Sequence, residues 1–232
     1  MKDSYQGRSP VFYARVAGWI YLVAMLLSFF TQMYVPGKIN VPHNVSAVAH
    51  NLSAFAGLYR TAIVFDILIF VSDVVMAWAF YELLKGVDRE LALLGAFLRI
   101  ADAAILTTAT LFGIIALRLV SGAEYLEGMD SRELAGLARL SMNIRGAALF
   151  AGFVFLGAGS TVFAFVLWKS RFVPQLLPAW GMLASPLLAL GALGTLLSSW
   201  FAANASMMAM VPMFFYEVPL GLWFVVKGVQ AK

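Results

Sequence analysis

The residues with the chemistry to act are ionisable groups set inside long apolar runs. Asp66 and Asp73 share one run, Arg99 and Asp102 the next, and Glu217 stands in the last. Arg60 and Arg145 lie at the margins of two runs. A charge at the centre of a membrane helix costs at least about 2.5–3.5 kcal/mol, so each group must face other helices and find a partner. Centring the connection between the second and third runs on Val87 brings Asp73 and Asp102 to matching depth. Arg99 precedes Asp102 by one helical turn, so it can pair along its own helix or across to Asp73. Asp66 lies two turns from Asp73 on the same helical face. These seven residues, Arg60, Asp66, Asp73, Arg99, Asp102, Arg145 and Glu217, form a candidate polar cluster inside the protein. Three roles suit it: ion pairs that fix helix register, a polar path for protons or a solute, or carboxylate acid–base chemistry on a lipid-like substrate.

Other chemistries fare worse. An intramembrane aspartyl protease needs two carboxylates sharing a proton. Arg99 beside Asp73 and Asp102 opposes that sharing, and the strings VSDVV and RIADAA lack a Tyr-Asp or Gly-x-Gly-Asp signature. We assign no catalytic residue and lean against an enzyme. The two histidines, His43 and His50, fall in a connecting segment, so haem ligation between spans is ruled out. A zinc site joining them to Glu124 or Asp130 has little to recommend it; no metal ligand set and no cofactor is expected. The absence of cysteine excludes disulfides, thiol relays and thiolate nucleophiles. GAGSTV at 157–162 lies within an apolar run and lacks the Gly-x-Ser-x-Gly elbow, so with Gly152 it reads as close helix packing. Pro178 and Pro186 mark the fifth run, and Pro212 and Pro219 the sixth. Pro219 removes the backbone donor for the Phe215 carbonyl and would bend the helix beside Glu217.

The elements that must position these groups follow from composition. The 232 residues are 62% hydrophobic and only 12% charged, with a mean hydropathy of +0.86. A soluble domain carries about a quarter charged residues, so lipid must be the solvent here. Six continuous apolar runs, at about 11–34, 58–84, 91–117, 146–168, 176–201 and 208–226, each suffice to span a bilayer. Backbone groups in lipid must pair internally, and the runs lack dyad alternation, so they are helices and not barrel strands. The expectation is an all-α transmembrane bundle of six helices, forming one integral membrane domain over residues 1–232. The first run is too long for a signal-peptide core and is read as a retained span.

Short connections rich in Lys and Arg, carrying Lys85, Arg89, Lys169 and Arg171, predict a multi-pass protein of the cell membrane with both termini in the cytoplasm. Tyr13, Tyr81, Trp168, Trp180 and Trp223 would form the inner aromatic belt, and Tyr34, Tyr59 and Trp200 the outer one. Basic residues at helix ends account for the net charge of +4 without nucleic acid. The partners expected are membrane lipids and a small-molecule or lipid ligand. In the outer loops, Asn44 would cap a short helix with Val45, Val48, Leu52 and Phe55 on one side. Asp130 with Glu133 would box a second, presenting Leu134, Leu137, Leu140 and Ile144; both would lie in the interface.

Several strings resemble the bacterial and archaeal membrane-protein family called domain of unknown function 4386. They are GWIYLVAMLLSFFTQMYVPGK at 18–38, LYRTAIVFDIL at 58–68, KSRFVPQLLPAWGML at 169–183 and YEVPLGLWFVVKGV at 216–229. The resemblance implies family positions at Arg60, Asp66 and Glu217, and at the turn residues Lys169, Ser170 and Pro174. Pro178 and Tyr216 depart from it, standing where glycine is expected. It implies a helical membrane protein and no defined activity.

Overall fold

The computed structural model describes residues 8–230, and these form helices and turns with no strand. In chain order the helices are α1 (Pro10–Phe29), α2 (Val35–Ile39), α3 (Val45–Ala54), α4 (Ala56–Leu84), α5 (Arg89–Leu119), α6 (Ser131–Ser170), α7 (Leu176–Leu197), α8 (Ser199–Asn204) and α9 (Ser206–Val226). A π-helical turn, Phe30–Tyr34, joins α1 to α2 without a break. Six helical runs are long and apolar enough to cross a membrane. The protein is an all-α polytopic bundle, as the apolar runs require.

Each span packs against its neighbours in sequence, α1 on α4, then α5, α6, α7 and α9, and α9 closes back on α1. The result is a ring of six antiparallel helices. Both described ends lie on one face, here the near face. There the backbone N–H of Gln230 donates to the Phe172 carbonyl in the α6–α7 turn at 2.8 Å. On the same face Lys169 Nζ donates to Asp88 Oδ2 at 2.7 Å, tying the end of α6 to the start of α5. Asp88 is also the N-cap of α5, accepting from the Leu91 N–H. Its carboxyl lies below the ordinary carboxylate range, first because of the Lys169 hydrogen bond and then because of the Leu91 N–H. Arg171 ends α6 in the left-handed region, at φ 58°.

Small residues let the helices approach closely. A Cβ added at Gly18 of α1 would lie 2.8 Å from the Gly221 carbonyl oxygen of α9. One added at Gly157 of α6 would lie 2.5 Å from the Ser185 carbonyl oxygen of α7. At Gly181 of α7 it would meet the Tyr216 ring at 2.4 Å. The close-packing reading of Gly152, Gly157 and Gly159 holds, since each contacts a neighbouring helix.

Several boundaries differ from the hydropathy reading. The first helical run continues to Ile39, because Pro36 sits in the first turn of α2, where its missing N–H costs nothing. The helix at Ser131 is not a separate element; it is the first half of α6, a single helix of 40 residues. At 1.5 Å per residue it measures about 60 Å, twice a hydrocarbon core. Leu137, Leu140 and Ile144 are exposed on it, while Ala135, Ala138, Ser141 and Arg145 face inward. Asp130 begins this helix without a side-chain cap bond. Asn44 does cap α3, accepting from Ala47 N–H at 2.9 Å. Of the expected apolar face of α3, Val48 and Leu52 are buried, and Val45 and Phe55 are exposed. Tyr13 and Tyr59 are buried and belong to no belt. α9 stays helical through Pro212 and Pro219.

Candidate functional site

Three helices build the polar interior, and seven-residue spacing aligns them. Tyr59, Asp66, Asp73 and Phe80 are buried along α4 at seven-residue intervals. Ala92, Arg99, Leu106 and Gly113 repeat on α5, and Ala138, Arg145, Gly152, Gly159 and Val166 on α6. A seven-residue repeat keeps one stripe of each helix facing its partners along the whole crossing. The contacts show how the stripes are matched. A Cβ on Gly113 would lie 3.1 Å from the Tyr59 hydroxyl and 3.3 Å from Arg145 Cδ. One on Gly152 would meet Leu106 Cδ2 at 2.5 Å, and one on Gly159 would meet Arg99 Cγ at 3.1 Å. From the far face inward, the layers are Tyr59–Gly113–Arg145, Asp66–Leu106–Gly152 and Asp73–Arg99–Gly159. The glycines of α6 leave room for the long side chains of α5.

Two ion pairs cross this seam. Arg99 Nη2 donates to Asp73 Oδ1 at 2.7 Å, with both side chains buried. Arg145 reaches one layer inward, and its Nη2 donates to Asp66 Oδ2. Asp66 also accepts from Gln32 Nε2 at 3.2 Å. Gln32 comes from the π-helical turn, whose extra residue brings Thr31 inward beside it. This outer pair is balanced, one cation to one anion.

The inner group is not. Asp102 is fully buried, and Arg99 Nη1 stops 3.6 Å from its Oδ2, a charge contact without a hydrogen bond. Both Asp102 oxygens, Arg99 Nη1 and the buried hydroxyl of Ser160 on α6 have no hydrogen-bond partner among the described residues. In the outer group the Tyr59 hydroxyl and Arg145 Nε are likewise buried and unpartnered. Glu217 of α9 is half-buried and forms no ion pair among the described residues. It lies within electrostatic reach of Arg99 and Asp73. Asp73 and Asp102 therefore share one guanidinium in the inner group, and Glu217 has no ion pair among the described residues.

The structure brings together five of the seven candidate residues as two linked clusters, Asp66 with Arg145 and Asp73 with Arg99 and Asp102. Glu217 approaches the inner one. Arg60 does not join: it is exposed. Stepping back seven residues from Asp66 along the stripe gives Tyr59, so its neighbour Arg60 is rotated about 100° outward at the far end of α4. Tyr59, Thr31, Gln32 and Ser160 were missing from the candidate list. The seven-residue spacing could have found Tyr59; nothing in the sequence marks the π turn that turns Thr31 and Gln32 inward. His43 and His50 are exposed, and no group of three His, Asp or Glu able to hold a metal occurs among the described residues. Two grooves of about 280 and 330 Å³ lie on the outside of the ring, lined by α5–α6 and α1–α4 respectively, and neither is lined by an ionisable residue.

Residues 16–228 match the family described as "Domain of unknown function (DUF4386)". The chain belongs to this family. The match runs from within the first half of α1 to just beyond α9, so in this DUF4386 member most of α1, all of α2–α9 and both buried ion pairs fall inside the family region. No curated protein and no solved structure matches the chain.

Proposed function

We propose that this DUF4386 protein is a carrier or binding protein for a small polar or lipophilic solute in a bacterial cytoplasmic membrane, with both termini in the cytoplasm. The observation that carries the reading is the charged seam. Asp66, Asp73, Arg99, Asp102 and Arg145 are buried on three adjacent helices, in two clusters and not in one bonded knot. Charges buried in membrane helices are costly and mark functional sites by default, solute and ion paths among them. A bundle needing only adhesion would use small and apolar residues, which already join α1, α7 and α9 here. Glu217 beside Pro219 supports the reading further, because a proline inside a span frees a carbonyl next to the carboxylate. Short basic connections at Lys85–Arg89 and Lys169–Arg171 support the cytoplasmic placement of the near face.

A second reading has its own observation. Each guanidinium bonds a carboxylate on a different helix, so the pairs can serve only to fix register in a structural or accessory membrane protein. The discriminating experiment is counterflow from proteoliposomes with a panel of small hydroxylated, amino and lipophilic solutes, set beside melting in detergent. The carrier reading expects Glu217→Gln to lose flux while keeping its melting temperature. Stable Asp66→Asn and Glu217→Gln proteins with undiminished flux would overturn the use of these groups. No flux in the wild type, with a large loss of stability in Asp66→Asn, would select the structural role.

A further inference from the structure

The inner cluster carries more negative groups than its one cation can balance. Asp73, Asp102 and Glu217 face Arg99, and the Arg99 hydrogen bond goes to Asp73. Asp102 is the most deeply buried of the three, and neither of its oxygens has a hydrogen-bond partner among the described residues. An ionised carboxylate in such a place would be among the costliest groups a membrane protein could hold. The surroundings offer one cation, Arg99, which lies 3.6 Å from Asp102 Oδ2 and gives its hydrogen bond to Asp73. Facing the cluster are Arg99 on its own helix, Asp73 from α4, Tyr216 and Glu217 from α9, and Tyr21 from α1. From α6 comes Ser160, a hydroxyl with no charge to offer. From α7 comes Ser185, whose hydroxyl is turned to Met213.

Packing then decides what can enter. Gly152 is so close that a single added carbon would lie 3.3 Å from Asp102 Oδ1. Gly159 packs just as tightly on Arg99, and Leu106 fills the layer above. A metal ion needs six or more oxygen ligands or a tetrahedral set, and an organic cation needs a cavity. The ligand that needs neither is a proton.

We propose that Asp102 is a proton-binding carboxyl at the heart of the seam. The step balances: an O–H bond forms on Asp102 as an O–H bond of a hydronium ion breaks and leaves water. Coupling of this proton to solute movement rests on the carrier reading; the site itself does not.

The test is infrared difference spectroscopy of the reconstituted protein across a pH jump. The carbonyl stretch of a protonated carboxyl should be present at neutral pH in the wild type and in Glu217→Gln, and absent in Asp102→Asn. A second measurement needs no variant. Unfolding the wild type in dodecyl sulfate at neutral pH, in weak buffer, should release on the order of one proton per chain or more, since a carboxyl freed into water ionises. A band that persists in Asp102→Asn, or unfolding without proton release, would overturn the proposal. A band present without flux of any solute sinks the carrier reading and spares the proton site; flux without the band does the reverse.

Discussion

Arg99 donates to Asp73 across the α4–α5 hairpin at 2.7 Å, and both side chains are buried. Neither group could stay in hydrocarbon alone, so each stabilises the fold chiefly by relieving the other.

Removing one partner should therefore cost more than removing both. Arg99→Met leaves Asp73 and Asp102 without their cation and is expected to lower stability by about 3–5 kcal/mol. Adding Asp73→Leu to it should recover part of that loss. Melting of the single and double variants in detergent checks this; a double variant no more stable than Arg99→Met alone would contradict it.

The two outer arginines should behave oppositely. Arg145→Gln strips buried Asp66 of its guanidinium and is expected to cost about 3–5 kcal/mol. Arg60→Gln changes an exposed residue and should stay within about 0.5 kcal/mol of wild type. Equal effects in a detergent melt would remove the distinction drawn from the seven-residue stripe.

Glycine substitutions test the close approaches. Gly159→Ala pushes a methyl to 3.1 Å from Arg99 Cγ, and Gly181→Ala pushes one to 2.4 Å from the Tyr216 ring. Overpacking of this kind costs about 1–3 kcal/mol. Gly136→Ala, on the open side of α6 with nothing within 4 Å, should be neutral or slightly stabilising. Thermal denaturation of the three proteins side by side gives the comparison.

Acid should loosen the near face through Asp88. Lys169 and the Leu91 N–H hold its carboxyl below the ordinary carboxylate range. A depressed carboxyl contributes stability at pH values above its unfolded value, about 3.9. That contribution is lost as pH falls below this value and through the folded one. Asp88→Asn, which keeps a capping side chain, should be less stable than wild type at neutral pH. The two should converge at strongly acid pH. Melting temperatures that run parallel throughout would refute this.

Orientation can be read directly, because the chain has no cysteine of its own. A single Ser121→Cys in the α5–α6 connection should react with a membrane-impermeant maleimide in intact cells, and Gly86→Cys only after permeabilisation. The reverse pattern would invert the proposed topology.

The spans were legible because hydropathy reports contact with lipid, which is what most of their residues do. It fails where a helix leaves lipid, which is why the polar outer half of α6 looked like a separate element. Pro36, Gly37 and Lys38 looked like a loop for the same reason, although the helix runs on through them. The Asp73–Arg99–Asp102 group could be placed because its members sit on one hairpin, where depth follows from counting residues. The Asp66–Arg145 pair was missed because its partners are 79 residues apart and belong to different hairpins. Counting sevens along α4 and α6 would have matched them and left Arg60 aside.

The separation of partners along the chain also bears on how the protein enters a bilayer. Asp73 and Arg99 are joined by a hairpin only 26 residues apart, so they can cross as a neutral couple once α5 has been synthesised. Asp66 belongs to the same hairpin, yet its guanidinium arrives with the following one. Until α6 docks, that carboxylate has no cation, and the nascent α4–α5 hairpin must wait at the insertion machinery or keep its outer end wet.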